Sequence, residues 1–192
     1  MSKLLWLSHT EPGHCVLGAT RIKNVGKLHL GEAVPPDFGQ PIQYKMSDLF
    51  PDDIELSDNY VVAGNVIISR RLRDGLEPLV AGHRLQYLPV SILNHKKRVA
   101  STDYFILHSQ DVFDCIDVAK SKVKWNPLDK KEIMFCEQLV IDPGPVPSNV
   151  LIFRPKYWGS RILVADSLVK TLSAGGFVGL RFLDPAQYSG IE

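Results

Sequence analysis

A strand–helix–strand pattern that occurs twice constrains the fold of this chain more than any other feature. In the first copy, residues 60–69 are a β-branched apolar run that predicts a strand leading into a helix. Leu72, Leu76 and Leu79 follow at spacings of four and three, which places them on one helical face. Residues 84–90 then alternate polar and apolar side chains, as expected of a half-buried strand.

The second copy closes the chain. Residues 161–165 predict a strand, Leu168 and Leu172 lie four residues apart on a helix, and residues 179–183 predict the returning strand. Two such units predict an α+β fold, with a mixed or mainly antiparallel sheet common to both units.

Local signals at the ends of these elements support the pattern. Ser69 and Asp166 are suited to cap the first turns of the two helices, because a short polar side chain accepts a hydrogen bond from a free amide there. Gly82 and residues 175–176 are suited to end the helices. Residues 95–98, with the sequence His-Lys-Lys-Arg, predict a charged hairpin tip between two strands.

The first third of the chain differs from the rest. Prolines break residues 1–60 into short pieces, and Lys3–Ser8 is the one clear strand among them. This part carries five basic and eight acidic side chains, against seventeen and thirteen in residues 61–192. We therefore predict a strand- and loop-rich N-terminal region, 1–60, that packs on an α+β body, 61–192, and does not fold alone.

Charge and apolar run lengths exclude several classes of protein. The 22 Lys and Arg residues against 21 Asp and Glu give a net charge of +1, which argues against coating nucleic acid or an anionic membrane. No apolar run is long enough to cross a bilayer, and residues 4–7 are too short a run for a secretory signal. Three widely spaced cysteines, Cys15, Cys115 and Cys136, predict reduced thiols and a cytoplasmic location.

No pattern of catalytic or metal-ligating residues stands out. The chain has no G-x-S-x-G, P-loop or G-x-G-x-x-G motif. The spacing of a metal site is absent among His9, His14, Cys15 and His29. Cys15 directly follows His14, and neighbouring residues rarely direct their side chains at each other, so a catalytic Cys–His pair is not expected there. We therefore predict no enzyme activity, no metal and no cofactor.

Two segments carry residue types used in recognition. The first is acidic and broken by a proline, and it is suited to steer the approach of a basic partner; a solvated surface loop is the alternative. Its five carboxylates, with no basic side chain among them, are Asp48, Asp52, Asp53, Glu55 and Asp58.

The second segment is an aromatic turn that contains Arg154, Tyr157 and Trp158 between apolar strands at residues 149–153 and 161–165. Such side chains dominate binding hot spots because each contributes a large contact area or forked hydrogen bonds. They would serve equally well to fold back over the edge of the sheet. The sequence leaves both interpretations open.

Several motifs in the last two-thirds of the chain occur in a recognisable order. An apolar strand ending in Phe-Arg, residues 151–154, precedes residues 161–168 and then a Gly-Leu-Arg-Phe strand at 179–182. Residues 67–72 and 113–117 fit the same layout. In this order the motifs resemble a family of immunity proteins from bacterial polymorphic toxin systems.

That resemblance implies a cytoplasmic protein, encoded beside a toxin, that binds the toxin and neutralises it without catalysis. Such toxins are often delivered between bacteria by contact-dependent secretion, including type VI systems, so the implied setting is interbacterial competition. The implied partner is the cognate toxin. The resemblance gives no contact residues, so the acidic segment and the aromatic turn are our candidates for the contact on the basis of their residue types alone. Nothing in the sequence indicates a nucleic acid, a membrane or a homo-oligomer as a partner.

Two other functions stay open. One is a regulatory module that binds a small ligand in a pocket between the two strand–helix–strand units. The other is an enzyme that reverses a toxin's modification, with a site assembled in space from His9, His14, Asp114 and Asp117.

Overall fold

The computed structural model describes residues 2–188, which form two five-stranded sheets, a two-stranded sheet and three short α-helices. The strands are β1 (Lys3–Ser8), β2 (Gln43–Lys45), β3 (Asn59–Val62), β4 (Asn65–Ser69), β5 (Leu85–Leu93), β6 (Val99–Ser109), β7 (Val112–Phe113), β8 (Lys122–Trp125), β9 (Ile133–Gln138), β10 (Ile152–Pro155), β11 (Leu163–Ala165) and β12 (Leu180–Leu183). The α-helices are α1 (Gly26–His29), α2 (Arg70–Leu76) and α3 (Asp166–Ala174), and 3-10 turns cover Glu77–Val80, Lys156–Trp158 and Pro185–Gln187. None of the helices in this described part is long and apolar enough to cross a membrane.

Both large sheets are mixed, with one parallel pair at an edge. The first sheet has the order β12-β1-β11-β10-β7, in which only β10 and β7 run parallel. The second has the order β2-β5-β6-β4-β3, in which only β2 and β5 run parallel. The predicted α+β fold class is therefore confirmed.

The two strand–helix–strand units have the same topology but lie in different sheets. In the first unit, β4 and β5 both pair antiparallel with β6, so they run parallel to each other and α2 connects them. In the second unit, β11 and β12 flank β1 in the same way, with α3 as the connection. The repeat is present in three dimensions, whereas the prediction of one common sheet is wrong, because each unit is completed by its own central strand.

Residues 60–69 form a hairpin rather than the single predicted strand. In the pairing of β3 with β4, Val62 lies opposite Asn65. The turn residues Ala63 and Gly64 have φ angles of 48° and 79°. Positive φ at both central positions gives the tight turn whose twist matches that of a β-hairpin. The continuous apolar character of the run concealed this turn, since only the glycine marks it.

Of the two predicted helix caps, one is confirmed and one is wrong. The amide of Leu72 donates to Ser69 Oγ at 3.1 Å, so Ser69 caps α2. Asp166 is instead the first helical residue of α3, where its carboxylate pairs with Lys170 at 2.7 Å. Leu79 lies beyond the end of α2, on the following 3-10 turn, and it is exposed.

The predicted charged hairpin tip joins β5 to β6 and is confirmed. The Lys97 amide donates to the Asn94 carbonyl at 2.9 Å, and Lys97 has a φ of 59°. Asn94 Oδ1 accepts a 3.0 Å hydrogen bond from the amide of Arg98. His95 at this tip lies 3.8 Å from Asp48, so the tip borders the acidic segment.

One central apolar cluster joins the two units. It contains Leu72 and Leu76 of α2, Leu168 and Leu172 of α3, and side chains from both large sheets, such as Trp6 in β1. Because both helices bury their apolar faces in the same cluster, neither unit has a complete core without the other.

The outer face of each large sheet is covered by a loop-rich segment. Side chains alternate along a strand, so Leu5 of β1 and Ile67 of β4 lie outside the central cluster. Residues between 115 and 146 cover the first sheet around Leu5, and residues between 15 and 46 cover the second sheet around Ile67. The division into 1–60 and 61–192 stays a prediction; the first part contributes β1 to the first sheet, β2 to the second sheet, and the segment that covers the second sheet.

Candidate partner-binding surface

Residues 47–55 form a loop that we name the acidic–apolar loop. At its start the Ser47 amide donates to the Val16 carbonyl at 2.7 Å, and at its end the Glu55 amide donates to the Gly13 carbonyl at 3.1 Å. Two turns between these anchors are each closed by a 3.2 Å backbone hydrogen bond. The backbone of the loop is therefore held at both ends, while its side chains are directed away from the core.

Three large apolar side chains of this loop face solvent. Leu49 is 82% exposed, Ile54 62% and Phe50 46%. Single exposed apolar residues are ordinary, but a concentration of them within six positions is typical of an interaction site. Sequence reasoning used the acids of this segment and missed these residues. The sequence nevertheless contained a signal for their exposure. A stretch that is broken by a proline and has neither helical nor strand periodicity forms no helix or strand with an apolar face to bury them.

Four carboxylates belong to the same loop. Asp48, Asp52 and Glu55 are exposed, and Asp53 is half-buried. Lys45 Nζ donates to Asp48 at 2.5 Å, and this hydrogen bond is the main reason that the pKa of Asp48 lies below its ordinary value. The loop thus combines exposed apolar area with negative charge at neutral pH.

Asp58, the fifth acid of the predicted group, has a different environment. Its side chain is only 12% exposed, and it accepts hydrogen bonds from Ser69 Oγ and Arg71 Nη1, both at 2.6 Å. It also accepts one from the Val178 amide at 3.0 Å. These contacts link the β3–β4 hairpin and the start of α2 to the segment that precedes β12. Asp58 therefore connects the two units and does not share the exposed surface of Asp48, Asp52 and Glu55.

The aromatic turn, residues 154–159, is folded into the protein. Arg154 is completely buried; its Nε donates to the Ser109 carbonyl at 3.2 Å, and its Nη1 donates to the Gly159 carbonyl. Trp158 is buried as well. Of the two interpretations that the sequence left open, folding back over the sheet describes these two side chains, and neither is accessible to a partner in this conformation.

Tyr157 is the residue of the predicted group in this turn that reaches the surface, where it is half-buried. Its hydroxyl lies 3.2 Å from Asp114 Oδ2, which also accepts from Lys156 Nζ at 3.1 Å. Its ring packs edge-on against Trp125 of β8, with 5.7 Å between the ring centroids. Tyr157 is thus held in place by neighbours and presents only part of its ring.

Two histidines lie near the charge of Arg154. Burial, reinforced by that charge, lowers the pKa of His29 and of His108 to about 4. Burial also lowers the pKa of Arg154, to about 10, so the guanidinium is still protonated at neutral pH. The interior beneath the aromatic turn therefore holds one cation and two neutral imidazoles.

The residues considered for an enzyme do not come together. His9 and His14 each lie near a different glutamate, and Asp114 and Asp117 each pair with a different lysine. Within residues 2–188, no hydrogen bond or ion pair joins any two of these four. These four side chains therefore do not pair with one another to form the site that was considered.

The three thiols are buried, and burial raises the pKa of each. The pKa of Cys115 rises to about 12, and Cys15 Sγ lies 3.3 Å from the hydroxyl of Tyr60. A buried thiol that stays protonated is a poor nucleophile and a poor metal ligand. Over the described range, 2–188, no three His, Cys, Asp or Glu side chains are grouped to hold a metal ion.

Comparison with protein families identifies an immunity protein family. The model of an immunity protein family, Imm11, matches residues 38–187 of this chain. The matched region begins well before residue 60 and includes both the acidic–apolar loop and the aromatic turn. No curated protein matches the chain.

Proposed function

Because this chain belongs to the Imm11 immunity protein family, we propose that it binds a cognate bacterial toxin and neutralises it by covering part of the toxin's surface. The family match is the observation that carries the proposal. The protein acts in the cytoplasm of a cell exposed to toxins from neighbouring bacteria, delivered by contact-dependent routes such as type VI secretion. Neutralisation proceeds by binding, without a chemical step.

The acidic–apolar loop is the contact surface that we assign to the toxin. Leu49, Phe50 and Ile54 offer apolar area that the protein itself does not bury. Transfer of such a side chain from water into an interface stabilises a complex by about 1.5–3 kcal/mol when burial is complete. The surrounding carboxylates select a toxin surface that is basic and has an apolar depression, since like charges would oppose the same contact.

A role without catalysis is supported by the environment of the reactive side chains. The thiols are buried with raised pKa values, and His9, His14, Asp114 and Asp117 have separate partners. Substitution of these four residues, one at a time, should leave protection of toxin-exposed cells intact. Loss of protection in a folded His14→Ala or Asp114→Ala variant would favour the enzyme alternative instead.

The first experiment is co-expression of this chain with the product of its neighbouring gene. We expect the two proteins to purify together, and we expect cells that express the neighbour alone to stop growing unless this chain is present. A neighbour that is harmless and does not bind would contradict the immunity proposal.

The apolar part of the surface is tested with a double variant, Leu49→Ser with Ile54→Ser. Loss of two anchors should weaken toxin binding by about a hundredfold or more, because each buried anchor contributes at least 1.5 kcal/mol, or about tenfold in affinity. The matched control is Leu128→Ser with Met134→Ser, which removes exposed apolar side chains elsewhere. If both double variants lost the same toxin affinity, the loop would not be part of the interface.

The charged part is tested by association kinetics at several salt concentrations. Neutralisation of the exposed loop acids should slow association by roughly tenfold at low salt and flatten its salt dependence, because long-range attraction to a basic toxin is lost. The loop substitutions are Asp48→Asn, Asp52→Asn and Glu55→Gln. The control set, with the same change in charge at other exposed positions, is Asp37→Asn, Asp129→Asn and Glu137→Gln. An unchanged association rate in the loop variant would refute the charge assignment.

A further inference from the structure

The acidic–apolar loop and the charged tip between β5 and β6 leave the second sheet at the same place. β2 and β5 run parallel, and Lys45 at the end of β2 lies opposite Leu93 at the end of β5. The Met46 amide then donates to the Leu93 carbonyl at 2.9 Å. Because the carboxyl ends of paired parallel strands lie side by side, the loop that follows β2 and the tip that follows β5 are neighbours on the surface.

The side chain of His95 joins the two segments. Its Nε2 lies 3.4 Å from the Asp53 carbonyl oxygen, and its Nδ1 lies 3.8 Å from Asp48 Oδ1. The imidazole is only 18% exposed, so most of it is covered where the loop and the tip meet. We name residues 47–55 together with residues 95–99 the bipolar surface.

The two parts of the bipolar surface carry opposite charges. Three exposed cations belong to the tip: Lys96, Lys97 and Arg98. Within residues 2–188, their charged groups have no carboxylate partner. In the loop, Asp52 has no cationic partner in the same described range, and Glu55 lies 3.7 Å from His14. Charge of both signs is therefore available side by side on one surface.

Exposed apolar side chains accompany both charges. Val99, which directly follows the three cations, is 59% exposed, and Leu49 and Ile54 of the loop face solvent. Exposed ion pairs alone contribute little to binding in water, so an interface also needs apolar area that is buried on contact. The bipolar surface offers both kinds of group.

We propose that the bipolar surface binds the same surface of a second copy of this chain, in a two-fold dimer. In such a contact each patch occurs twice, so the loop of each copy pairs with the tip of the other. A patch with one sign of charge repels its own copy, whereas two adjacent patches of opposite sign are complementary to themselves. The dimer covers Leu49 and Ile54, which the single chain leaves exposed.

The dimer goes beyond the toxin-binding proposal, because this chain forms it alone. One consequence does rest on that proposal. The toxin and the second copy compete for the acidic–apolar loop, so toxin binding converts the dimer into one-to-one complexes. The tests below use this chain without a toxin, and failure of the dimer is therefore distinguishable from failure of the immunity proposal.

The first test is sedimentation velocity of the full chain over a series of concentrations at low salt. We expect a reversible equilibrium that ends at the dimer and shifts towards the monomer when salt is added. Reversal of the tip charges should weaken the dimer by about a hundredfold or more, because like charges then meet at both symmetry-related contacts. The tip-reversed variant carries Lys96→Glu, Lys97→Glu and Arg98→Glu.

A matched control makes the same change in charge at exposed lysines outside the bipolar surface. It carries Lys122→Glu, Lys130→Glu and Lys131→Glu, and it should dimerise like the parent chain. Equal weakening by the control and by tip reversal would overturn the proposal.

A mixing experiment distinguishes a two-fold dimer from attraction between net charges. A loop-reversed variant, with Asp48→Lys, Asp52→Lys and Glu55→Lys, should be monomeric by itself. Mixing it with the tip-reversed variant should restore a one-to-one dimer, since each patch again meets its opposite, and restoration also shows that both variants are folded. A parent chain that is monomeric at every concentration, or that assembles beyond the dimer, would overturn the proposal. Equally strong pairing of the loop-reversed variant with the control variant would overturn it as well.

Discussion

The acidic–apolar loop and the aromatic turn look alike as candidates for recognition but differ in where their side chains lie. In the loop, Leu49 and Ile54 face solvent although both are strongly apolar. In the turn, Arg154 and Trp158 are buried although arginine and tryptophan are frequent at interfaces. The residue types used in recognition are also those that fill a core, so composition alone does not distinguish the two roles.

The difference arises from what packs against each segment. The aromatic turn lies against β6 and the 3-10 turn near Tyr188. The backbone carbonyls of Ser109 and Gly159 accept hydrogen bonds from the Arg154 guanidinium. The acidic–apolar loop is bound to the protein by the backbone at its two ends. The side chains that fix the aromatic turn are buried and serve the fold. In the loop, Asp48 and Glu55 have basic neighbours, whereas the exposed apolar side chains of Leu49, Phe50 and Ile54 are available for a partner.

The largest difference between the two segments should appear when an aromatic ring is removed from each. Trp158→Ala should lower the free energy of unfolding by about 3–5 kcal/mol, because a large buried side chain leaves a cavity. Phe50→Ala should lower it by less than about 1 kcal/mol, since that ring is already 46% exposed. Urea unfolding of both variants measures the difference, and similar losses would contradict the distinction between the two segments.

Low pH should lower the free energy of unfolding, because two largely buried histidines lie beneath the aromatic turn. The unfolded histidines have the ordinary pKa of 6.5, whereas His29 and His108 in the folded protein have a pKa of about 4. The unfolded chain therefore takes up protons first, and stability is lost as the pH falls from 6.5 towards 4. The loss is about 2 kcal/mol for each histidine at pH 5.

Urea unfolding at pH 7 and pH 5 tests this dependence. His108→Gln should reduce the difference in stability between the two pH values, and the exposed His9→Gln should leave it unchanged. A parent protein that is equally stable at both pH values would show that neither histidine is held neutral by burial.

Asp58 should behave as part of the interior, not of the loop. Asp58→Ala removes the acceptor of three hydrogen bonds, two of them from side chains, and should lower the free energy of unfolding by about 2–3 kcal/mol. Asp52→Ala, at an exposed position of the acidic–apolar loop, should change it by no more than about 0.5 kcal/mol. If Asp58→Ala and Asp52→Ala lowered thermal stability equally, the distinction between Asp58 and the loop acids would be wrong.

The smallest effect on folding is expected at the apolar side chains of the loop. Leu49→Ser with Ile54→Ser should change the free energy of unfolding by less than about 0.5 kcal/mol, because both side chains are already solvated. The same variant is expected to lose toxin binding. A large loss of stability would mean that the loop is packed in solution and is not available to a partner.

The sequence predicts individual elements well where the signal is local. Lys3–Ser8 is a strand over the predicted residues, Ser69 caps its helix, and residues 95–98 form the predicted hairpin tip. These features depend on alternation, on a hydroxyl beside a free amide and on a short charged turn. Each requires only neighbours in the chain.

Prediction was wrong where two local signals compete. A turn inside residues 60–69 is marked only by Gly64, so the apolar character of the run outweighed it. Asp166 has the chemistry of a cap, but it is the first residue of α3, and Ala165 occupies the cap position. Helix ends are uncertain from sequence because aspartate is favoured both at the cap and in the first turn.

By itself the sequence determined the α+β class, the two strand–helix–strand units and the resemblance to immunity proteins. Periodicity and motif order along the chain carry that information. Only the tertiary structure decided that each unit has its own sheet, that Arg154 and Trp158 are buried, and that Asp58 is separate from the acids before it. Burial is a property of what packs against a residue, and those partners lie far away in the chain: Arg154 contacts Ser109, and Asp58 contacts Val178.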